Sequence, residues 1–522
     1  MRGFGTFLFA PVVSGVLTGL TLIPNKFGPY AQALILFCYV PLWASWLKQP
    51  GPNRTLTQGW IAQAVLSAVA FHWVAHTVAE FGQVPFPVAL LAFFLFAACA
   101  NLHIPLGAYL WARVFPRGSG SLGLRVFTLF LFQAAAERLV PMLFDWHLGY
   151  AWYYLNWPAY NLADTIGFAG LGTVTLGINA ILTYAILVRD KPRLFALGAL
   201  AVALLALHLG GLARARAVAT PNAAANALVI QPNIGNRDKL RAEDPAYLPE
   251  LVNRYLRLTG EGLERAQGEG KRVDFAVWPE NAFPDVISEL GSVEAHFQAL
   301  QDFLVSRKLT LLTGGYGFSD EGEVTNAFFV IPPRRSWRVP TYHKTHLLAF
   351  GEYLPGARWL PALRNIFPAV GNFAAGRGPA VLPVGTLRVG PQICYEGLFD
   401  GFSRASANSG AEIFVNITND SWYGSWPEPR QHLYLTLGRA IETRRPLLRA
   451  TNTGISAAVL ANGKLLQLSP MDQAWTGVYE IPYRENPEPT PFQGAGYWLI
   501  PGAIALGLAA TLLMRARKKI IA

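Results

Sequence analysis

LFALGALAVALLALHLGG (Leu194–Gly211) gives way, past Arg214 and Arg216, to NALVIQ (Asn226–Gln231), and this change of pattern decides the architecture. The first run has no charged residue and is long enough, at about 1.5 Å per helical residue, to cross a hydrocarbon layer about 30 Å thick. The second is a short apolar run with β-branched residues, bounded by turn formers, which predicts a strand of an extramembrane domain. A membrane part and a folded domain therefore meet near residue 218.

Working outward, comparable uncharged stretches occupy Gly3–Asn25, Phe27–Leu47, Thr55–Ala79, Phe81–Ala112, Thr165–Val188 and, beyond the domain, Tyr497–Met514. Val126–Phe144 contains Glu137 and Arg138, so it is either a spanning helix with a buried ion pair or a shorter helix ending at the interface; it is counted here as spanning. The expected fold is thus a membrane protein of eight transmembrane α-helices carrying an extramembrane α/β domain. Residues 1–217 form a seven-helix part, 218–490 the domain, and 491–522 the last helix with a basic tail.

Composition agrees. Charged residues are 14% of the 522 and hydrophobic ones 52%, against about 25% charged in soluble domains, which excludes a wholly water-soluble or disordered chain. Three distant cysteines, Cys38, Cys99 and Cys394, exclude a disulfide framework and a four-thiolate metal site. The net charge of +11 suggests nucleic acid until the charges are placed. With a cytoplasmic N-terminus, the inner segments hold 13 Lys and Arg and the outer short loops 4. The positive-inside rule then puts both termini in the cytoplasm and the domain on the outer, periplasmic face, and no nucleic-acid partner is expected. The segment 146–160 carries Trp146, Tyr150, Trp152, Tyr153, Tyr154, Trp157 and Tyr160, an aromatic density suited to the headgroup level.

Within the domain, strands are expected at Leu228–Ile230, Phe275–Trp278, Leu309–Thr313, Phe328–Ile331, Leu387–Val389, Glu412–Ile417 and Ile455–Leu460, with helices over Tyr247–Ala266 and Val293–Ser306. Three strand ends bear reactive groups. Glu280 lies in Trp278-Pro279-Glu280-Asn281. Lys344 lies in Tyr342-His343-Lys344-Thr345-His346, eight residues before Glu352. Cys394, the domain's only cysteine, lies in Gly390-Pro391-Gln392-Ile393-Cys394-Tyr395-Glu396. A thiol attacks only as thiolate and needs a base and a nearby cation, which Glu280 and Lys344 supply. The tetrahedral intermediate needs donors, here the Lys344 ammonium and the Tyr395 N–H. The rival reading takes His343 or His346 as base of a cysteine-protease-like pair, without an evident orienting residue. His72 with His76, and His343 with His346, offer two ligands each and no third, so no metal site is expected.

Glu280 in WPEN, Lys344 in YHKTHLLAFGEYLP and Cys394 in QICYE resemble the Glu–Lys–Cys triad of the nitrilase, or carbon–nitrogen hydrolase, superfamily. With seven spans before the domain and one after, and with VNITNDSWYG followed by RQHLYLTLGRAIETRRPLLRATNTGIS, the chain is similar to the bacterial apolipoprotein N-acyltransferases. The resemblance implies an α-β-β-α sandwich on the periplasmic face of the inner membrane and a ping-pong reaction without metal or organic cofactor. Cys394 would take an acyl group from a membrane phospholipid, phosphatidylethanolamine being the expected donor. The thioester would then be passed to the α-amino group of the S-diacylglyceryl cysteine of an apolipoprotein, the last step of lipoprotein maturation. Glu280 would be the general base and Lys344 the oxyanion donor. Glu352, Tyr395 and Glu396 would support them, and Asn419, Trp422 and Tyr423 would bind substrate. Leu240 stands where family members often carry a Trp. The alternatives are a membrane-tethered amidase acting on a small amide, and a transporter or receptor whose domain only binds a ligand.

Overall fold

The computed structural model describes residues 2–24, 30–49, 51–116, 120–235, 247–283, 285–287, 295–334, 339–366 and 370–521. They form two compact units, one of Met1–Ala75, Pro85–Ala217 and Thr490–Ala522, the other of His76–Val84 and Val218–Pro489.

The first unit is helical. Each of the eight apolar stretches forms helix over much of its length, but several are interrupted. Among the described residues five helices are long and apolar enough to cross a membrane, or six if the pair Pro52–Ala70 and Trp73–Gly82, bent by 67°, is one span. The apolar part of the first helix, Phe7–Thr21, is short, and Leu122–Leu139 carries Arg125, Glu137 and Arg138. The partner of Glu137 is not its neighbour in sequence: its Oε1 meets Nδ1 of His147 at 2.8 Å, and Asp145 meets the other ring nitrogen at 3.1 Å. Gly15 and Gly19 lie against Ala62, Val65 and Val69 of Pro52–Ala70, where any Cβ would overlap; small residues one turn apart let two membrane helices approach closely.

Most of the aromatic segment is turned into the protein. Trp146, Tyr150, Trp152, Tyr153 and Tyr154 are buried within the unit. Their polar ends have internal partners: the Trp152 indole donates to Thr175 Oγ1 at 2.9 Å and the Trp146 indole to Asn101 Oδ1 at 3.0 Å. A buried indole N–H needs an acceptor, and these two have one.

The second unit has two sheets. The first runs β11 (Trp475–Tyr483), β1 (Ala223–Gln231), β2 (Phe275–Val277), β3 (Thr310–Phe318), β4 (Val324–Ile331), β5 (Thr341–His343). The second runs β10 (Ala457–Val459), β9 (Leu447–Thr451), β8 (Ile413–Thr418), β7 (Leu387–Ile393), β6 (Leu382–Val384). β1, β2 and β3 are parallel, as are β7, β8 and β9. Alternation along the strands separates two cores. Ala225, Ala227 and Val229 of β1 and Phe275 and Val277 of β2 face Val389, Ile393, Ile413 and Val415 of the other sheet. Leu228 and Ile230 face the opposite way, onto Leu251, Tyr255 and Leu258 of the helix Leu248–Gly268 and Phe297, Leu300 and Leu304 of the helix Ala295–Arg307. Helices Asp400–Asn408 and Glu428–Thr443 cover the second sheet. The result is the expected α-β-β-α sandwich.

Candidate active site

The reactive residues leave the ends of strands. Glu280 follows β2, Lys344 follows β5, Cys394 follows β7, and Asn419 follows β8. In open α/β sheets this edge, where strands end and loops begin, is where ligands bind.

Cys394 sits at the turn from β7 into the short helical segment Cys394–Leu398 with φ +54°. A left-handed residue other than glycine costs about 1–2 kcal/mol, so the turn must be held from outside. Two groups hold it. Asn416 Nδ2 of β8 donates to the Cys394 carbonyl at 2.9 Å. Oε2 of Glu396 accepts the Ile393 N–H at 2.8 Å, while its Oε1 accepts Tyr342 Oη at 2.7 Å and the N–H groups of Thr345 and His346 at 2.7 and 3.0 Å. One buried carboxylate thus ties the end of β7 to the segment that follows Lys344. Burial lifts the Glu396 carboxyl to about 7, against the pull of the Lys344 charge and these donors.

Lys344 Nζ is buried between two carboxylates, 2.8 Å from Glu352 Oε1 and 3.3 Å from Glu280 Oε1. Burial alone would favour the free amine, but Glu352, Glu280 and Cys394 together hold it well above the ordinary lysine range, so it is an ammonium. An ammonium has three donors, of which the carboxylates take two. Asn326 Nδ2 reaches the same two carboxylate oxygens at 2.8 Å each. The outer oxygens are also fixed, Glu280 Oε2 by the Asn419 N–H at 3.0 Å and Glu352 Oε2 by the Leu348 N–H at 2.8 Å.

Burial pushes the Cys394 thiol up, Glu280 adds to the rise, and Lys344 and the Thr418 hydroxyl oppose it, so the resting side chain is a protonated thiol. Tyr395 lies beside the lysine, its ring centroid 5.8 Å from Nζ, and its hydroxyl donates to the Leu347 carbonyl at 2.7 Å. His346 stacks on Phe399 at 4.5 Å, and burial lowers its pKa.

The three residues expected to bind substrate lie on one loop after β8. Asn419 uses its N–H on Glu280, while its side-chain oxygen accepts from Ser421 Oγ at 2.8 Å and Asn452 Nδ2 at 2.9 Å. Trp422 stands perpendicular to Phe81, centroids 5.2 Å apart, and Tyr423 is buried with the Cys394 thiol among the groups that raise its pKa. Leu240 lies outside the described residues. The sequence reading missed Asn326 and Asn416; the one available signal was an asparagine inside an otherwise apolar strand, a position where asparagine is depleted.

The α-β-β-α domain, with a carboxylate, an ammonium and a thiol at its strand ends, has the carbon–nitrogen hydrolase fold. The Carbon-nitrogen hydrolase family matches residues 229–482, and the Apolipoprotein N-acyltransferase N-terminal domain matches residues 14–181. The chain is 41% identical over 503 residues to the apolipoprotein N-acyltransferase of Bdellovibrio bacteriovorus, covering 93% of this chain and 90% of that one. It is 31% identical to that of Caulobacter vibrioides, covering 87% and 82%. The crystal structure of a carbon–nitrogen hydrolase from Helicobacter pylori aligns over 50% of this chain and 89% of its own, with 15% identity and a TM-score of 0.35. The chain belongs to the apolipoprotein N-acyltransferase family.

Proposed function

We propose that the protein transfers a fatty acyl group from a membrane phospholipid, through a thioester on Cys394, to the α-amino group of the S-diacylglyceryl cysteine that begins an apolipoprotein. The observation that carries this reading is the Glu280–Lys344–Glu352 cluster, built around a buried lysine, whose charges act on the Cys394 thiol.

In the first half-reaction Glu280 takes the Sγ–H proton as sulfur attacks the ester carbonyl. The Lys344 ammonium, fixed by Glu352, stabilises the oxyanion together with the Tyr395 N–H. Collapse breaks the ester C–O bond, and Glu280 returns the proton to the departing alkoxide, so lysophospholipid leaves and the acyl thioester remains. In the second, the α-amine attacks the thioester carbonyl and Glu280 takes its surplus proton. Collapse breaks the C–S bond, the proton returns to sulfur, and the N-acylated lipoprotein departs. Both substrates are held in the bilayer by their own acyl chains, which favours a domain tethered to the membrane at each end. We place that domain on the periplasmic face of the inner membrane, with eight spans and both termini in the cytoplasm, on the distribution of Lys and Arg. Tyr423 and Trp422 are proposed to face the acyl chain, and Asn419 to hold the base.

Intact-protein mass spectrometry tests the reading. Purified enzyme incubated with phosphatidylethanolamine should gain one fatty-acyl mass that Cys394→Ala does not gain, and a diacylated lipopeptide should discharge it. Folded enzyme that gains no adduct but hydrolyses small soluble amides would instead support a tethered amidase.

A further inference from the structure

Beneath the nucleophile lies a fully buried polar network centred on Asp420. Its carboxylate receives Arg449 Nη2 at 3.2 and 2.9 Å, the Thr418 hydroxyl at 3.1 Å and His432 Nδ1 at 3.1 Å. Arg449 Nη1 donates to Asn416 Oδ1 at 2.7 Å, and Asn416 in turn holds the Cys394 carbonyl. Thr418 is among the groups that lower the Cys394 thiol's pKa against burial. In the other direction, the residue before Asp420 is Asn419, whose N–H holds the Glu280 carboxylate. Gly454 lies so close to Asp420 Oδ2 that a Cβ there would overlap the carboxylate.

Asp420, Glu428 and His432 bring three metal-binding atoms within 4.8 Å of one another, but the cluster does not have the charge state of a cation site. Both oxygens of Asp420 already face the Arg449 guanidinium. Burial and the neighbouring Asp420 raise Glu428 well above the carboxylate range, so it is a neutral acid. Burial and Arg449 lower His432, so it is a neutral imidazole. One anion and one cation balance, and an added divalent ion would meet the guanidinium at the same oxygens.

We propose that Asp420, paired with Arg449, is a positioning residue that keeps the base and the nucleophile in register. The inference rests on the acyl-transfer reading of this site. Three links run from the one carboxylate: through Arg449 and Asn416 to the Cys394 backbone, through Thr418 to its thiol, and along the chain through Asn419 to Glu280. The base and the nucleophile come from different sheets, Glu280 from the end of β2 and Cys394 from the end of β7. Among the described residues no strand hydrogen bonding joins the two sheets, so a link between them has a purpose beyond stability. A displacement of about 1 Å between reacting groups costs on the order of 100-fold in rate.

The test uses the full chain in detergent, with thermal unfolding to measure the folded fraction, and compares two readouts per folded molecule. One is the single-turnover rate of acyl-enzyme formation from phosphatidylethanolamine. The other is the pH profile of Cys394 alkylation by iodoacetamide. Asp420→Asn should lower acylation on the order of 100-fold and move the alkylation midpoint. Acylation within about threefold of wild type with an unmoved midpoint would overturn the proposal, since a structural residue changes only how much protein is folded. If Asp420→Asn does not fold, Asn416→Ala and Thr418→Val leave the ion pair in place. Each should slow acylation on the order of 10-fold, and Thr418→Val should also move the midpoint; neither change in either variant would overturn the proposal. Alkylation needs no lipid, so failure of the acyl-transfer reading shows separately, as wild type that forms no acyl-enzyme.

Discussion

Lys344 Nζ lies 2.8 Å from Glu352 Oε1, closer than to Glu280 at 3.3 Å, so the lysine's principal anchor is the carboxylate that the proposed mechanism does not use as a base. This division frees Glu280 to accept a proton without leaving the ammonium unpaired. Glu352→Gln should make Glu280 the sole counter-ion of Lys344 and a weaker base. Acyl-enzyme formation should fall on the order of 100-fold in single-turnover assays, with the protein still folded. An unchanged acylation rate would remove Glu352 from the electrostatics of the site.

Removing the cation itself should cost more. Lys344→Ala leaves the buried Glu280 carboxylate facing the partly buried Glu352 carboxylate across Asn326, which favours uptake of a proton by one of them. Turnover should drop on the order of 1,000-fold, while Cys394→Ser should abolish the thioester outright. A folded Lys344→Ala enzyme with normal turnover would end its oxyanion role.

Asn326 bridges the same carboxylates through one amide nitrogen, and exchanging that donor for an acid has a pH signature. In Asn326→Asp a third carboxylate would face the other two at neutral pH, raising its own pKa. Acylation should be nearly lost at pH 8 and partly recovered toward pH 6, where the new acid is protonated and donates again. A loss of equal size at both pH values would show that the side chain's shape, not its donor, matters.

The sequence displays the site's reactive residues but not their scaffold, for a physical reason. Glu280, Lys344 and Cys394 each follow an apolar run, and a reactive group at a strand end stands out against it. Strand β9 does not, because Leu447-Leu448-Arg449-Ala450-Thr451 carries an arginine that reads as solvent-facing, yet Arg449 is fully buried and neutralised by Asp420, 29 residues away. Asn416 and Thr418 likewise look like breaks in a buried strand. Asn416 finds its partners at Cys394 and Arg449, 22 and 33 residues away, and periodicity reports only which face a residue takes. In the helical unit the apolar stretches were legible as lengths of chain, but not the breaks within them. Phe71 and His72, where the helix bends, carry no proline or glycine, and Glu137 finds His147 ten residues on rather than the adjacent arginine.

Glu396 offers a prediction about stability and pH. Its carboxylate accepts four hydrogen bonds from both sides of the cleft, and its pKa is raised to about 7, chiefly by burial. The unfolded chain titrates this group near 4.5, so between about 4.5 and 7 the folded protein binds a proton that the unfolded chain has released. The contribution of Glu396 is therefore most favourable below 4.5 and is lost as pH rises through 7. Glu396→Gln cannot titrate, and its amide has one oxygen where the carboxylate has two. The variant should be less stable by about 1–3 kcal/mol at low pH. The gap in Tm between wild type and variant should narrow from pH 5 to pH 7.5 and then stay level. A gap that is already level from pH 5 to pH 7.5 would mean that the four donors outweigh burial and hold Glu396 ionised throughout.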